Sequence, residues 1–175
     1  MNEKEALVLL KKYSSSKRSF NAESKHVKAV QKLALEFAED TDVDKKFIKI
    51  ASLLHDIGRF NAPPGSKNSL HHGINGSAIL RKEGLNKFAL IAERHLGAGI
   101  SKLDIKKQNL NLPMKNYLPK TKEEKIITCA DNLIFGQKRG NIDMAYKRFF
   151  KELGKEYAER VKKLYKEVLG FKEQS

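Results

Sequence analysis

Apolar residues recur along most of this chain at intervals of three and four, the spacing of a helix with one buried face. Val27, Val30, Leu33, Ala34 and Phe37 form one such stripe, and Ser24 stands where an N-cap is expected, which would put His26 in the first turn beside the stripe. After the acidic interruption TDVD, Asp44 can cap a second helix through Phe47, Ile48, Ala51, Leu53 and Leu54, leading to His55 and Asp56 and ended by Gly58. Upstream, Asn2 to Tyr13 reads as a short helix and SSSKRS as a polar connection. NAPPGSKNS, dense in turn formers, must be a loop, with His72 at its far end.

The pattern then predicts a helix from Ile74 to Glu83 stopped at Gly84, and another from about Lys87 carrying Phe88, Ile91, Ala92 and His95 before GAG breaks it. Thr121 with Glu124 resembles a capping box opening a helix through Ile126, Ile127, Ala130, Leu133 and Ile134, which carries Asp131. Ile142 to Leu169 divides into two helices at Gly154. Gly97 to Pro119 is the least regular stretch, with a short helix around Ser101 to Lys107, and is placed to close over a substrate. No alternating β pattern of useful length occurs, so the expected class is all-α.

Composition changes this picture little and charge changes it more. At 175 residues, 40% hydrophobic and 32% charged, one folded domain is expected. A single cysteine, Cys129, cannot make an intramolecular disulfide and reads as a small core residue. The N-terminus has neither the signal-peptide nor the transit-peptide pattern, and no apolar run could span a bilayer, so a cytoplasmic protein without membrane contact is expected. The net charge of +14 permits a nucleic-acid partner without demonstrating one. In KRFFKELGKEYAERVKKLYKEV the bases alternate with acids that can pair in solvent, and Phe149, Phe150, Tyr157 and Tyr165 read as an apolar stripe.

The candidate chemistry lies in the order of His26, His55, Asp56, His72, His95 and Asp131, each on or beside a helical segment. Imidazole with carboxylate suits first-row divalent ions such as Mn, Fe, Co, Ni or Zn. His26, His55, Asp56 and Asp131 can hold one ion, but two aspartates cancel its charge and leave little attraction for phosphate. If Asp56 bridges to a second ion, His72 and His95 complete that site and the centre carries about +2. Two such ions would activate water for hydrolysis at phosphorus without a covalent enzyme intermediate. Arg59 could fork onto phosphate oxygens or pair with a carboxylate. Lys67 and Arg94 are weaker phosphate candidates, Asn132 could orient Asp131 or face solvent, and His71 is expected to face solvent.

The segments ESKHVKAV, ASLLHDIGR, HHGINGSAIL, ERHLGAGI and TKEEKIITCADNLIFG resemble, in order, those of the HD-domain phosphohydrolase superfamily, over roughly residues 20 to 140. Their wording is especially similar to small archaeal HD proteins of unassigned substrate. The resemblance implies a compact helical fold over residues 1–175, a metal-binding core at about 20–140, and C-terminal helices at 141–170 packed on it. It makes His26, His55, Asp56 and Asp131 the core ligands, and likens His72 and His95 to the extra histidines of branches with two metals. Those branches include hydrolases of diadenosine tetraphosphate and cyclic dinucleotide phosphodiesterases. The GYP that marks cyclic-di-GMP enzymes is missing after His95, where LGAGI stands.

The expected function is therefore a phosphomonoesterase or phosphodiesterase acting on a nucleotide or related small phosphate, with Asp56 and Arg59 as catalytic residues. The alternatives are a single-metal nucleoside 5′-monophosphate phosphatase, and a basic nucleotide- or nucleic-acid-binding module with a structural metal.

Overall fold

The computed structural model describes residues 1–66 and 68–174, so Lys67, a weak phosphate candidate above, lies outside the described residues. The helices are α1 (Glu3–Tyr13), α2 (Lys17–Ala38), α3 (Lys45–Leu54), α4 (His72–Lys82), α5 (Asn86–Arg94), α6 (Lys102–Lys107), α7 (Lys122–Leu133), α8 (Ile142–Leu153) and α9 (Lys155–Leu169). Single 3-10 turns occur at Ile57–Phe60, Ser69–His71 and Lys172–Gln174. One antiparallel ribbon, β1 (Ile134–Phe135) with β2 (Lys138–Arg139), completes the regular elements among the described residues. The all-α expectation holds. No described helix is long and apolar enough to cross a membrane.

Capping sets many boundaries, and two of them differ from the expected ones. Asn2, Asp44, Ser101 and Asn141 each accept a hydrogen bond from the backbone N–H three residues on, as N-caps do. α2, however, starts at Lys17 and not after Ser24. Ser16 Oγ accepts from Ser19 N, and Ser16 N donates to Ser19 Oγ, both at 3.1 Å, so the supposed polar connection SSSKRS nucleates the helix. Ser24 instead donates its hydroxyl back to the Asn21 carbonyl at 3.2 Å, and His26 sits in mid-helix. At the other boundary, α3 ends at Leu54, before Gly58. His55 closes the helix and Asp56 takes φ −104°, ψ 14°, the bridge region that carries the chain into the 3-10 turn.

Gly58 has a different task. A Cβ there would lie 2.0 Å from the His72 carbonyl oxygen and 2.5 Å from Gly76 N, so only glycine lets the 3-10 turn rest on α4. The Thr121 cap is present, but Glu124 does not close a capping box. Its carboxylate accepts from Lys120 N at 2.6 Å and from Arg94.

α2, α3 and α7 pack on one another at the centre, α4 pairs with α5, and α8 pairs with α9 against α7. One buried cluster runs through Leu10, Val30, Leu33, Ile48, Leu54, Phe88, Ile91, Ile127 and Val161, so the C-terminal pair shares the core of the rest. Cutting Leu54 or Ile127 to alanine would cost about 2–5 kcal/mol. Within the expected aromatic stripe, Phe149 and Tyr157 are buried and Tyr165 packs partly on the core, but Phe150 is 50% exposed. Cys129 is buried, and burial pushes its thiol up to about 12, as befits an inert core residue.

Residues 97–119 are more ordered than their composition suggests. Ile100 and Tyr117 exchange backbone hydrogen bonds at 2.9 and 2.7 Å, and Ile100, Ile105, Leu112 and Tyr117 make a small core against Leu70, Ile74, Leu96 and Leu110.

Candidate metal centre

Five separate elements bring the six candidate ligands together. His26 comes from the middle of α2, His55 and Asp56 from the end of α3, His72 from the first position of α4, His95 from the end of α5, and Asp131 from the last turn of α7. The donor atoms of His26, His55, Asp56 and Asp131 lie within 4.8 Å of one another, and so do those of Asp56, His72 and His95.

Asp56 belongs to both groups and divides its oxygens between them. Its Oδ2 lies 3.5 Å from His26 Nε2 and 3.7 Å from His55 Nε2. Its Oδ1 lies 3.2 Å from His72 Nε2 and 3.1 Å from His95 Nε2. Asp131 Oδ1 closes the first group, 3.0 Å from His26 Nε2 and 3.6 Å from His55 Nε2. Donors bound to one ion at about 2.1 Å sit about 3 Å apart at adjacent positions, so these separations need little adjustment.

The tautomers follow from the backbone. Nδ1 of His26, His55, His72 and His95 faces the carbonyl of Gly136, Ser52, Ser69 and Ala92 at 2.8, 2.7, 2.5 and 2.8 Å. A carbonyl can only accept, so each Nδ1 must carry a proton, and in the neutral ring Nε2 turns a lone pair inward. His72 Nε2 and His95 Nε2 then face each other at 3.0 Å with no proton to share, and His55 Nε2 is buried without a hydrogen bond. A cation in each group would resolve the problem there. By geometry and donor chemistry the residues therefore fit divalent ions.

In the protein alone, protons meet part of this field. Burial opposes charge on His26, but the hydrogen bond and charge of Asp131, with Asp56 beyond, carry it up to about 10. His95 is also raised: burial opposes, and the bond to Asp56 prevails. His72 is lowered, by burial first. Asp56 and Asp131 are held well below the usual carboxylate range against their burial, Asp56 by Arg59 and the histidines, Asp131 by His26 and His55. A metal ion competes with those protons for the same nitrogens.

His26, Asp56, His72 and Asp131 border a cavity of about 920 Å³, whose wall also includes Glu23, Arg59, Pro63, Leu96, Gly97, Ile100, Ile134, Phe149 and Tyr157. Arg59 Nε donates to both oxygens of Asp56 at 3.2 Å, so the arginine grips the shared carboxylate while lining the cavity. Arg94 turns away and gives Nη1 to Glu124 at 3.0 and 3.3 Å, a tie between α5 and α7 with no hand in the cavity. Asn132 does not orient Asp131; its Nδ2 donates to the Gly97 carbonyl at 2.8 Å. His71 is half-buried, not solvent-facing, and its Nδ1 has no partner.

Two cavity residues escaped sequence reasoning. Glu23, one turn before His26 on α2, has a buried Oε1 without a hydrogen bond, and burial, then the charge of Asp56, raises it to about 8. Its helical offset of three from His26 was the available signal. The other, Arg148, was hidden in a run that reads as a solvated basic face.

Comparison with known proteins settles the family. The HD domain pattern matches residues 24–136. The chain belongs to the HD domain family. It is 46% identical over 138 residues to Uncharacterized protein MJ0778 of Methanocaldococcus jannaschii, covering 75% of this chain and 78% of that protein. It is 38% identical over 166 residues to a tRNA (cytidine(56)-2'-O)-methyltransferase of Thermoplasma volcanium, covering 94% of this chain but only 46% of that protein. The crystal structure of the L. monocytogenes phosphodiesterase PgpH HD domain superposes with a TM-score of 0.55 at 16% identity, over 94% of this chain and 97% of that one, which establishes a shared HD fold. The same domain in complex with cyclic-di-AMP gives 0.54, also at 16% identity, over 95% of each chain.

Proposed function

We propose that this HD domain protein is a metal-dependent phosphohydrolase that cleaves a phosphate ester of a nucleotide or related small phosphate at a centre of two ions sharing Asp56. The observation that carries this reading is the division of the Asp56 carboxylate, with one oxygen toward His26 and His55 and the other toward His72 and His95. His26, His55, Asp56 and Asp131 would hold one ion, and His72, His95 and Asp56 the other. Ions of this kind supply Lewis-acid activation of water and of the phosphoryl group.

The chain's own residues do the rest. The four backbone carbonyls fix the histidines in the tautomer that offers Nε2, so the ligands need little reorganisation. Arg59 steadies Asp56 through Nε and lines the cavity with its planar head, where phosphate oxygens would lie. Glu23 brings to the cavity a carboxyl whose burial favours the protonated form, the form that could give a proton to the departing oxygen. Leu96, Ile100, Phe149 and Tyr157 offer an apolar wall for a base or sugar. The cavity is within the ~300–1,000 Å³ range of small-molecule sites.

The dinucleotide bound by the PgpH domain supports a nucleotide as the substrate class. The methyltransferase activity is a property of proteins of which this chain spans less than half, and the site described here offers no support for it. Metal analysis of the purified protein, followed by a phosphate-release screen over nucleotides with added Mn²⁺, tests the proposal. Two ions per chain and metal-stimulated release are expected. One ion, unaffected by His72→Ala or His95→Ala, would favour the single-metal monophosphatase. Salt-sensitive nucleic-acid binding without turnover would replace both with the binding module.

A further inference from the structure

Arg148 is the one partly buried arginine among the described residues that makes no ion pair. Arg59 pairs with Asp56, Arg94 with Glu124 and Arg160 with Asp104, whereas Arg148 reaches no carboxylate. Its guanidinium lies over the rings of Phe149 at 4.4 Å and Phe135 at 5.0 Å, its Nε is buried with no partner, and its one polar contact is Nη2 to the Asn132 carbonyl at 3.4 Å. The aromatic contacts hold the head in place without neutralising it. Gly140 helps to shape this support, since a Cβ there would lie 2.6 Å from the Phe135 ring.

Arg148 lines the same cavity as Asp56, Arg59 and Asp131, and the carbonyl it touches belongs to the residue after Asp131. Glu152, one turn further along α8, borders the cavity as well but is exposed and outside pairing distance. A fixed, half-desolvated fork of N–H donors without a counter-charge matches a phosphate group in shape and charge. The residue lies on α8, beyond the 24–136 segment that the HD pattern covers.

We infer that Arg148 forms a second phosphate-binding subsite in the cavity, so that the substrate carries a phosphate group apart from the one that is cleaved. The inference rests on the phosphohydrolase reading for which phosphate is cleaved, but not for the subsite itself. A nucleoside bisphosphate or diphosphate then fits the cavity better than a nucleoside monophosphate.

Calorimetric binding of AMP, ADP and adenosine 3′,5′-bisphosphate to the Mn²⁺-loaded protein provides the test, with Arg148→Met and Arg148→Lys alongside and folding checked by thermal melting. At least one of the two doubly phosphorylated ligands should bind about tenfold or more tighter than AMP, and Arg148→Met should erase that advantage while leaving AMP within about twofold. Arg148→Lys should keep part of it. In metal-free protein, residual binding of the favoured ligand should survive Asp56→Asn and vanish in Arg148→Met, a result independent of any hydrolysis. The inference is overturned if neither ligand outbinds AMP, or if Arg148→Met weakens AMP and its doubly phosphorylated relatives equally. Failure to find phosphate release, with the Arg148-dependent preference intact, would instead remove the phosphohydrolase reading alone.

Discussion

α5 and α7 carry two buried charged clusters side by side, and the two are built on opposite principles. Arg94 and Glu124 face each other one residue before His95 and seven before Asp131. There every charge has its match: Nη1 reaches both carboxylate oxygens, and Lys120 N supplies a further donor. In the neighbouring cluster the match is incomplete: a proton on His26 answers Asp131, but His55 Nε2 is buried with no partner and Nε2 of His72 and of His95 face each other. Burying charge is tolerable where complementary groups meet it. A cluster that meets it only when something else arrives is a binding site, and the contrast separates structural from functional charge without reference to any relative.

The sharpest way to break this contrast is to remove one acid from each cluster. Asp56→Asn should abolish binding of both ions and lower phosphate release by about a thousandfold or more, with little loss of thermal stability in the metal-free protein, as seen by metal analysis and melting. Glu124→Ala should do the reverse, costing about 3 kcal/mol of stability while metal stoichiometry at low temperature stays unchanged. Equal effects of the two substitutions on metal content would dissolve the distinction. Gly58→Ala comes next: its methyl group would displace His72, so the ion proposed for His72 and His95 should be lost while the one proposed for His26, His55 and Asp131 remains.

Metal and pH should also act in opposite directions on the mismatched cluster. A saturating ion at 100 times its Kd adds about 2.7 kcal/mol, readable as a rise in Tm that a chelator reverses. Without metal, His26 contributes stability through its raised value: the contribution is fully present below its ordinary 6.5 and is lost as pH climbs through about 10. Metal-free protein should therefore lose stability across that window, and Mn²⁺ affinity should grow over the lower part of it as protons leave the ligands. Denaturant titrations at several pH values, with His26→Ala as the flat control, would check the sign. The smallest expected effect concerns α2: Ser16→Ala should cost about 1 kcal/mol and Ser24→Ala almost nothing.

The helices and all six candidate ligands were legible because amphipathic spacing and capping chemistry are local, and each ligand falls on or next to a helix end or face. The start of α2 was misjudged because serines at 14–16 and 19 read as a linker, when two of them cap each other. Gly58 read as a stop signal because sequence cannot show that another backbone will pass within contact of it. Arg148 and Glu23 were missed for a related reason. A basic run between acids looks solvated, and only the closing of α8 and the hairpin around Phe135 denies the arginine its water. Arg94 and Asn132 erred in the other direction, being adjacent in sequence to ligands but engaged elsewhere in space.

The meeting of Gly58 with the start of α4 has one more consequence. Because the backbone contact itself locates His72, the spacing of the two candidate groups does not rest on the stretch around Pro63 to Ser66 alone. A Cβ added at Gly65 would meet nothing within 4 Å, and lengthening a flexible connection there would cost only about 0.6 kcal/mol per doubling. Because Pro63, Pro64 and Gly65 also border the cavity, a recognition element spliced in at that bend would change what reaches the centre without shifting the backbone contact that locates His72.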